Sequence, residues 1–159
     1  MRVLVTGGNG FVGRHLLLAL KEAGHDVISL DRKLVDDLDK IEKVTYLTSH
    51  TKDISSLNIE CDVVYHLGEY ARISTSFEDI EDVWDSNVLG TYNVINFCKK
   101  NKCKLVYAAS SSKFGNNGED ENLSPYAWTK SKNVELIRNY SSWFGMDYSI
   151  AYFYNVYGK

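Results

Sequence analysis

The sequence is poor in proline, with one among 159 residues, and in cysteine, with three. Apart from the segment that leads into Pro125, nothing in it reads as linker, repeat or low-complexity tract. Cys61, Cys98 and Cys103 are an odd number without metal-ligand spacing. A disulfide framework is therefore not expected, and reduced thiols are. Long apolar runs are also missing. No stretch approaches the roughly 18 residues of a membrane span, and the start lacks the basic-then-apolar pattern of a signal peptide. The expectation is a cytoplasmic protein with no membrane partner. A charge excess is missing too: 18 Lys and Arg face 21 Asp and Glu, a net charge of -3 with pI near 5.8. Without a polycationic footprint, nucleic acid is not an expected partner, although a small anion could still find a local site. His15, His25, His50 and His66 are scattered, and no metal site is expected from them.

What is present describes one soluble globular domain: 44% hydrophobic and 25% charged residues with a mean hydropathy of -0.28. Short β-branched runs ("RVLVTG", "DVISLD", "KVTYLT", "DVVYHLG", "KLVYAASS", "DYSIAYFYNVYG") alternate with helix-patterned segments. Several runs are apolar on both faces, the pattern of parallel strands covered by helices on two sides. Phe11, Val12, His15, Leu16, Leu18, Ala19 and Leu20 suggest a first helix with Gly24 at its left-handed cap. Val83 to Lys100 reads as another, with Val83, Trp84, Val88, Leu89, Tyr92, Ile95 and Phe97 on its buried stripe. Lys99, Lys100, Lys102 and Lys104 fit a solvated helix end. The most loop-like stretch is Gly115 to Pro125. The fold class is α/β, a Rossmann-like doubly wound parallel sheet with strand order 3-2-1-4-5-6.

Between the first strand and the first helix, "VTGGNGFVG" spaces Gly7, Gly10 and Gly13 as G-x-x-G-x-x-G. One such glycine permits the tight turn, one lets backbone N–H groups approach a pyrophosphate, and one lets helix and strand pack closely. The helix N-terminus, with Phe11 and Val12 in its first turn, then favours the anion. The next strand ends in Asp31, about 20 residues on, where a dinucleotide-binding unit places the acid that holds the adenosine ribose. That carboxylate would repel a 2'-phosphate, so NAD is expected over NADP. Arg32 could soften the preference by pairing with such a phosphate.

A second cluster, "SPYAWTKSK", puts Tyr126 and Lys130 four apart on one helix face behind Ser124 and Pro125, a cap and a first-turn proline. A phenol with a reference pKa of about 10 works as a base near neutrality only beside cations that stabilise its phenolate, and Lys130 is one. The strand "YAASSSKFG" ends at Ser110, where open parallel sheets present ligand groups, so that its hydroxyl can share a substrate oxygen with Tyr126. For Ser111 and Ser112 self-capping is an equal alternative.

With these motifs in order, the sequence resembles the extended short-chain dehydrogenase/reductase family, the NAD-dependent nucleotide-sugar epimerases and dehydratases, and within it UDP-glucose 4-epimerases. The match runs through "VTGGNGFVG", "DVVYHLGEYA", "NVLGTYNV", "YAASSSKFG", "SPYAWTKSK" and "YFYNVYGK". The resemblance implies Asp53 and Ile54 by the adenine, and Leu67, Gly68 and Glu69 by the cofactor's ribose and phosphates. It implies Asn87 in the support of the active site and counts it with the cofactor-binding residues. It also implies Tyr154 beside the nicotinamide and Asn155 at the substrate. Ser110, Tyr126 and Lys130 become the catalytic set, Lys130 binding ribose as well, with Ser110, Tyr126 and Asn155 facing a nucleotide sugar, a UDP-sugar by resemblance. The family's dehydratases carry Thr-Asp-Glu where this chain has Ser110, Ser111 and Ser112, so epimerisation is expected over loss of water. Family members run about twice as far. The expectation is therefore a dinucleotide-binding domain over 1–159 without the family's C-terminal substrate domain, in a possible homodimer. The alternatives are a non-catalytic dinucleotide-binding module, and another nucleotide-sugar dehydrogenase of the same family such as a dehydratase or decarboxylase.

Overall fold

A computed structural model describes residues 1–158, so Lys159, where the sequence reading ends, lies outside the described residues. Six strands form one sheet: β1 (Arg2–Thr6), β2 (Asp26–Asp31), β3 (Val44–Thr48), β4 (Val63–His66), β5 (Lys104–Ser110) and β6 (Tyr148–Phe153). Every pairing is parallel, and the order is β3-β2-β1-β4-β5-β6. The order reverses between β1 and β4, which opens a crevice at the carboxyl ends of those strands.

The period of two explains the double-sided apolarity of the strands. On β1, Val3 and Val5 pack with Leu17 and Leu20 of α1 (Phe11–Glu22) on one face. Leu4, between them, packs on the other face with Val94 and Ile95 of one helix and Val134 and Ile137 of another. The first helix buries Gly13, Leu17 and Leu20. The expected stripe differs: Leu18 and Phe11 are exposed, because the seam that meets the sheet runs at i, i+4, i+7 from Gly13. Gly24 has a φ of +79° just past the helix, the left-handed cap expected of it.

The second long helix is not uniform. It runs through α2 (Ile80–Val83), a π-helical segment (Trp84–Gly90) and α3 (Thr91–Asn101). One widened turn rotates the inward face relative to a regular 3.6 period. Ser86, Asn87, Gly90 and Thr91 are thereby buried. Trp84, Leu89 and Tyr92, expected in the stripe, face outward. Trp84 stacks on Trp128 of α4 (Pro125–Phe144), centroids 5.7 Å apart. The α4 start is as expected: Ser124 Oγ accepts from the Ala127 N–H at 3.0 Å. The stretch expected to be a loop is coiled instead, as 3-10 turns over Ser111–Asn122. Among the described residues no helix is long and apolar enough to cross a membrane, and the three cysteines are free thiols.

Candidate functional site

The crevice at the switch point is a cavity of about 1020 Å³. One end is the turn after β1. Gly7 there has a φ of +69°, and a Cβ on it would stand 2.8 Å from the Gly68 Cα and the Leu67 carbonyl carbon. Two loops thus meet backbone to backbone, which only glycine allows. A Cβ on Gly13 would strike the Gly7 carbonyl and Gly8, so the helix can sit directly on the turn. The N-cap of α1 is Gly10, with no side-chain cap bond and no acidic residue in the first turn. Backbone donors at that N-terminus are left for an anion, and the helix dipole reinforces them.

Asp31 closes the adjacent wall. Its carboxylate accepts from the Asn9 N–H at 3.1 Å and the Lys33 N–H at 2.9 Å, which fixes its direction. Arg32 is also on the cavity, its guanidinium held in a two-point ion pair with Asp82 whose second bond is 2.9 Å. That partner raises the guanidinium's pKa and holds the Asp82 carboxyl below its usual range.

At the other end Ser110, Tyr126 and Lys130 line the same cavity, with Tyr154 and Asn155 beyond the end of β6. Ser110 Oγ accepts from the Ser112 N–H at 3.2 Å and the Ser112 hydroxyl at 2.9 Å. With both lone pairs used, its own proton is left to donate to an oxygen in the cavity. Lys130 Nζ donates to Glu69 and to the Ala108 carbonyl, the latter at 2.7 Å, and lies 5.1 Å from the Tyr107 ring centroid.

Behind the lysine runs a buried hydrogen-bonded chain that sequence reasoning missed. Thr6 Oγ1 accepts from the Leu67 N–H at 3.2 Å and the Gly68 N–H at 3.0 Å. Its proton therefore goes to His66 Nδ1, 2.7 Å away. The imidazole must then carry its proton on Nε2 and donate to Thr91 Oγ1 at 2.9 Å, and Thr91 donates to Glu69 Oε1 at 2.9 Å. Burial pushes His66 down to about 4, with Lys130 acting the same way and Glu69 opposing. Burial and the Glu69 charge raise Tyr107. Each side chain of this chain is ordinary in sequence, and only the tertiary fold brings them together.

The cavity is lined by Gly7, Gly10, Phe11, Val12, Gly13, Asp31, Arg32, Leu67, Gly68 and Glu69 together with the five residues of the far end. Three expected positions are not on it. Ile54 is fully buried in the core and Asp53 is exposed, because 3-10 turns (Thr51–Ser56) carry both past the wall. Ser49, His50 and Thr51, directly after β3, line the cavity. Sequence reasoning missed these three, and the end of β3 is the signal that could have found them. Asn87 is buried behind the cavity rather than on it. Its amide accepts from the Tyr70 N–H at 2.7 Å and donates to the Tyr70 carbonyl at 3.2 Å and to Thr129 Oγ1 at 3.1 Å. It therefore ties the loop after β4 to α4, a supporting position and not a contact.

A doubly wound parallel sheet with a glycine turn and an uncapped helix at its switch point defines the dinucleotide-binding class of α/β fold. Residues 3–159 match the model of the NAD dependent epimerase/dehydratase family, and the chain belongs to that family. UDP-glucuronate 4-epimerase 1 of Arabidopsis thaliana is 31% identical over 98% of this chain and 42% of its own length. An epimerase of Methanothermobacter thermautotrophicus superposes with a TM-score of 0.87 at 26% identity, over 99% of this chain and 52% of the other. MoeE5, solved in complex with UDP-glucose and NAD, superposes with a TM-score of 0.80 at 25% identity, over 96% and 53%. The chain spans about half the length of the curated relatives it matches.

Proposed function

We propose that this chain holds NAD in the cavity and forms the dinucleotide-binding domain of a nucleotide-sugar epimerase. The observation that carries the reading is the convergence, on one cavity, of the glycine turn, Asp31, Ser110, Tyr126 and Lys130. The donor set fits the cofactor. The uncapped α1 N-terminus suits a pyrophosphate, and the fixed Asp31 carboxylate suits ribose hydroxyls. When bound, NAD supplies reversible hydride acceptance at a sugar carbinol carbon, and inversion follows when the hydride returns to the other face.

The chain's own residues do the rest. Ser110 donates its hydroxyl proton to the sugar oxygen and holds it. Tyr126 takes the hydroxyl proton as that carbon is oxidised and gives it back on reduction. Lys130 has three ammonium protons, of which Glu69 and the Ala108 carbonyl use two. One is left for a ribose hydroxyl or the tyrosine oxygen. A UDP-sugar is the substrate class that the resemblance to MoeE5 and to the plant epimerase supports. Three serines in place of an acidic pair support epimerisation over dehydration. Free thiols support a cytoplasmic compartment. The outward face carrying Trp84, Leu89, Tyr92 and Trp128 supports a homodimer through the long helices.

UDP-sugar interconversion with added NAD tests the chemistry. Turnover that disappears in Tyr126→Phe supports it. Cofactor binding with no turnover favours the non-catalytic module.

Asp31→Ala is expected to weaken NAD about 10- to 100-fold, the worth of a charged hydrogen bond. NADP should be affected much less, so the gap between the two cofactors narrows. Calorimetric titration of both against parent and variant checks this, and an unchanged gap would remove Asp31 from the ribose site.

A further inference from the structure

Glu69 lies in the loop that meets the cavity after β4, yet its carboxylate turns inward. Its side chain is 1% exposed and that of Lys130 is 8%. The carboxylate receives Lys130 on one oxygen, and on the other Thr91 at 2.9 Å, Tyr107 at 3.1 Å and Asn133 at 3.0 Å. All four partners donate, so it serves purely as an acceptor, the role of an ionised carboxylate. The chain from Thr6 through His66 and Thr91 points the same way, with every proton directed toward Glu69. The other titratable groups around the pair are Tyr126, Tyr107 and His66, and the imidazole is neutral. Lys130 therefore brings one positive charge to the cavity wall and Glu69 brings one negative charge to the same point.

An oxidised nicotinamide ring is a cation, whereas a reduced one is neutral. A site with an uncompensated lysine would discriminate against the oxidised form. A compensated one would not. We propose that Glu69 sets the preference between oxidised and reduced cofactor by cancelling the charge of Lys130 beside Tyr126. The inference rests on the NAD-binding reading. Glu69 is a positioning residue in this role, because it acts through Lys130.

The test is a ratio, Kd for NAD+ over Kd for NADH, measured by calorimetry and by NADH fluorescence. Glu69→Gln leaves the pair with a net positive charge and should raise the ratio about tenfold, the effect of one charge at short range in a partly screened site. Lys130→Met leaves a net negative charge and should lower it at least about threefold. The double variant Glu69→Gln/Lys130→Met restores neutrality and should return to within about threefold of the parent. General structural damage weakens both cofactors alike and leaves the ratio where it was. If Glu69→Gln does not fold, the other two variants decide: a ratio that fails to fall in Lys130→Met, or fails to return in the double variant, overturns the proposal. A ratio unchanged in a folded Glu69→Gln overturns it as well, while leaving the NAD-binding reading intact. A parent chain that binds neither cofactor overturns both.

Discussion

Gly7→Ala is expected to destabilise the fold by about 3 kcal/mol and to weaken NAD binding at least about 100-fold. Two costs add. A φ of +69° is unfavourable for any residue with a Cβ, by about 1–2 kcal/mol. The new methyl would stand 2.8 Å from backbone atoms of Gly68 and Leu67. Because those atoms are main chain, no rotamer change relieves the contact, and overpacking of this kind costs about 1–3 kcal/mol. Relief requires the β1 and β4 loops to separate, and these loops form the phosphate end of the cavity. Denaturant midpoints together with an NAD titration measure the two effects. A variant with parental stability and parental affinity would show that the turn is not the cradle.

Acid lability is the second large expectation. The folded-state pKa of His66 is depressed to about 4, against about 6.5 when unfolded. The unfolded chain therefore binds the extra proton first. Above pH 6.5 neither state is protonated and the residue costs nothing. Between pH 6.5 and 4 the unfolded state takes the proton and stability falls, by up to 1.36 kcal/mol per pH unit and about 3 kcal/mol in all. The geometry supplies the reason. A proton on Nδ1 would face Thr6 Oγ1, which already accepts two backbone N–H bonds. That hydroxyl would have to accept a third bond and turn its own proton away, or give up an amide. Urea unfolding at pH 7.5, 6 and 4.5 should show the fall, and His66→Gln should flatten it by about one proton's slope. An equally steep fall in that variant would assign the lability to other groups.

Much of this molecule was legible in the sequence because its signals are local. A strand, a glycine turn and a helix occupy consecutive residues, so Gly7, Gly10 and Gly13 could be read with the strand order that follows from βαβ units. Asp31 was legible because it ends a strand, and the pair Tyr126 and Lys130 because a helix repeats every 3.6 residues. What escaped depends on tertiary geometry. The π-helical turn at Trp84–Gly90 is set by packing, and it moved Trp84, Leu89 and Tyr92 to the surface while burying Asn87 and Thr91. The share of Ser49, His50 and Thr51 in the wall after β3 escaped as well, because nothing in that polar run marks it as facing a cavity. The direction of Glu69 was invisible: the resemblance placed it by the cofactor, but its carboxylate turns inward to Lys130 and to a chain of hydroxyl and imidazole groups from three other elements.

Calorimetric titration of the chain with NAD+ bears most directly on the central claim that the switch-point cavity is a cofactor site. Saturable binding of one NAD+ per chain, weakened by Asp31→Ala and weakened further by Gly7→Ala, is the predicted result. A folded chain that takes up no NAD+, or whose binding is untouched by both substitutions, would contradict it.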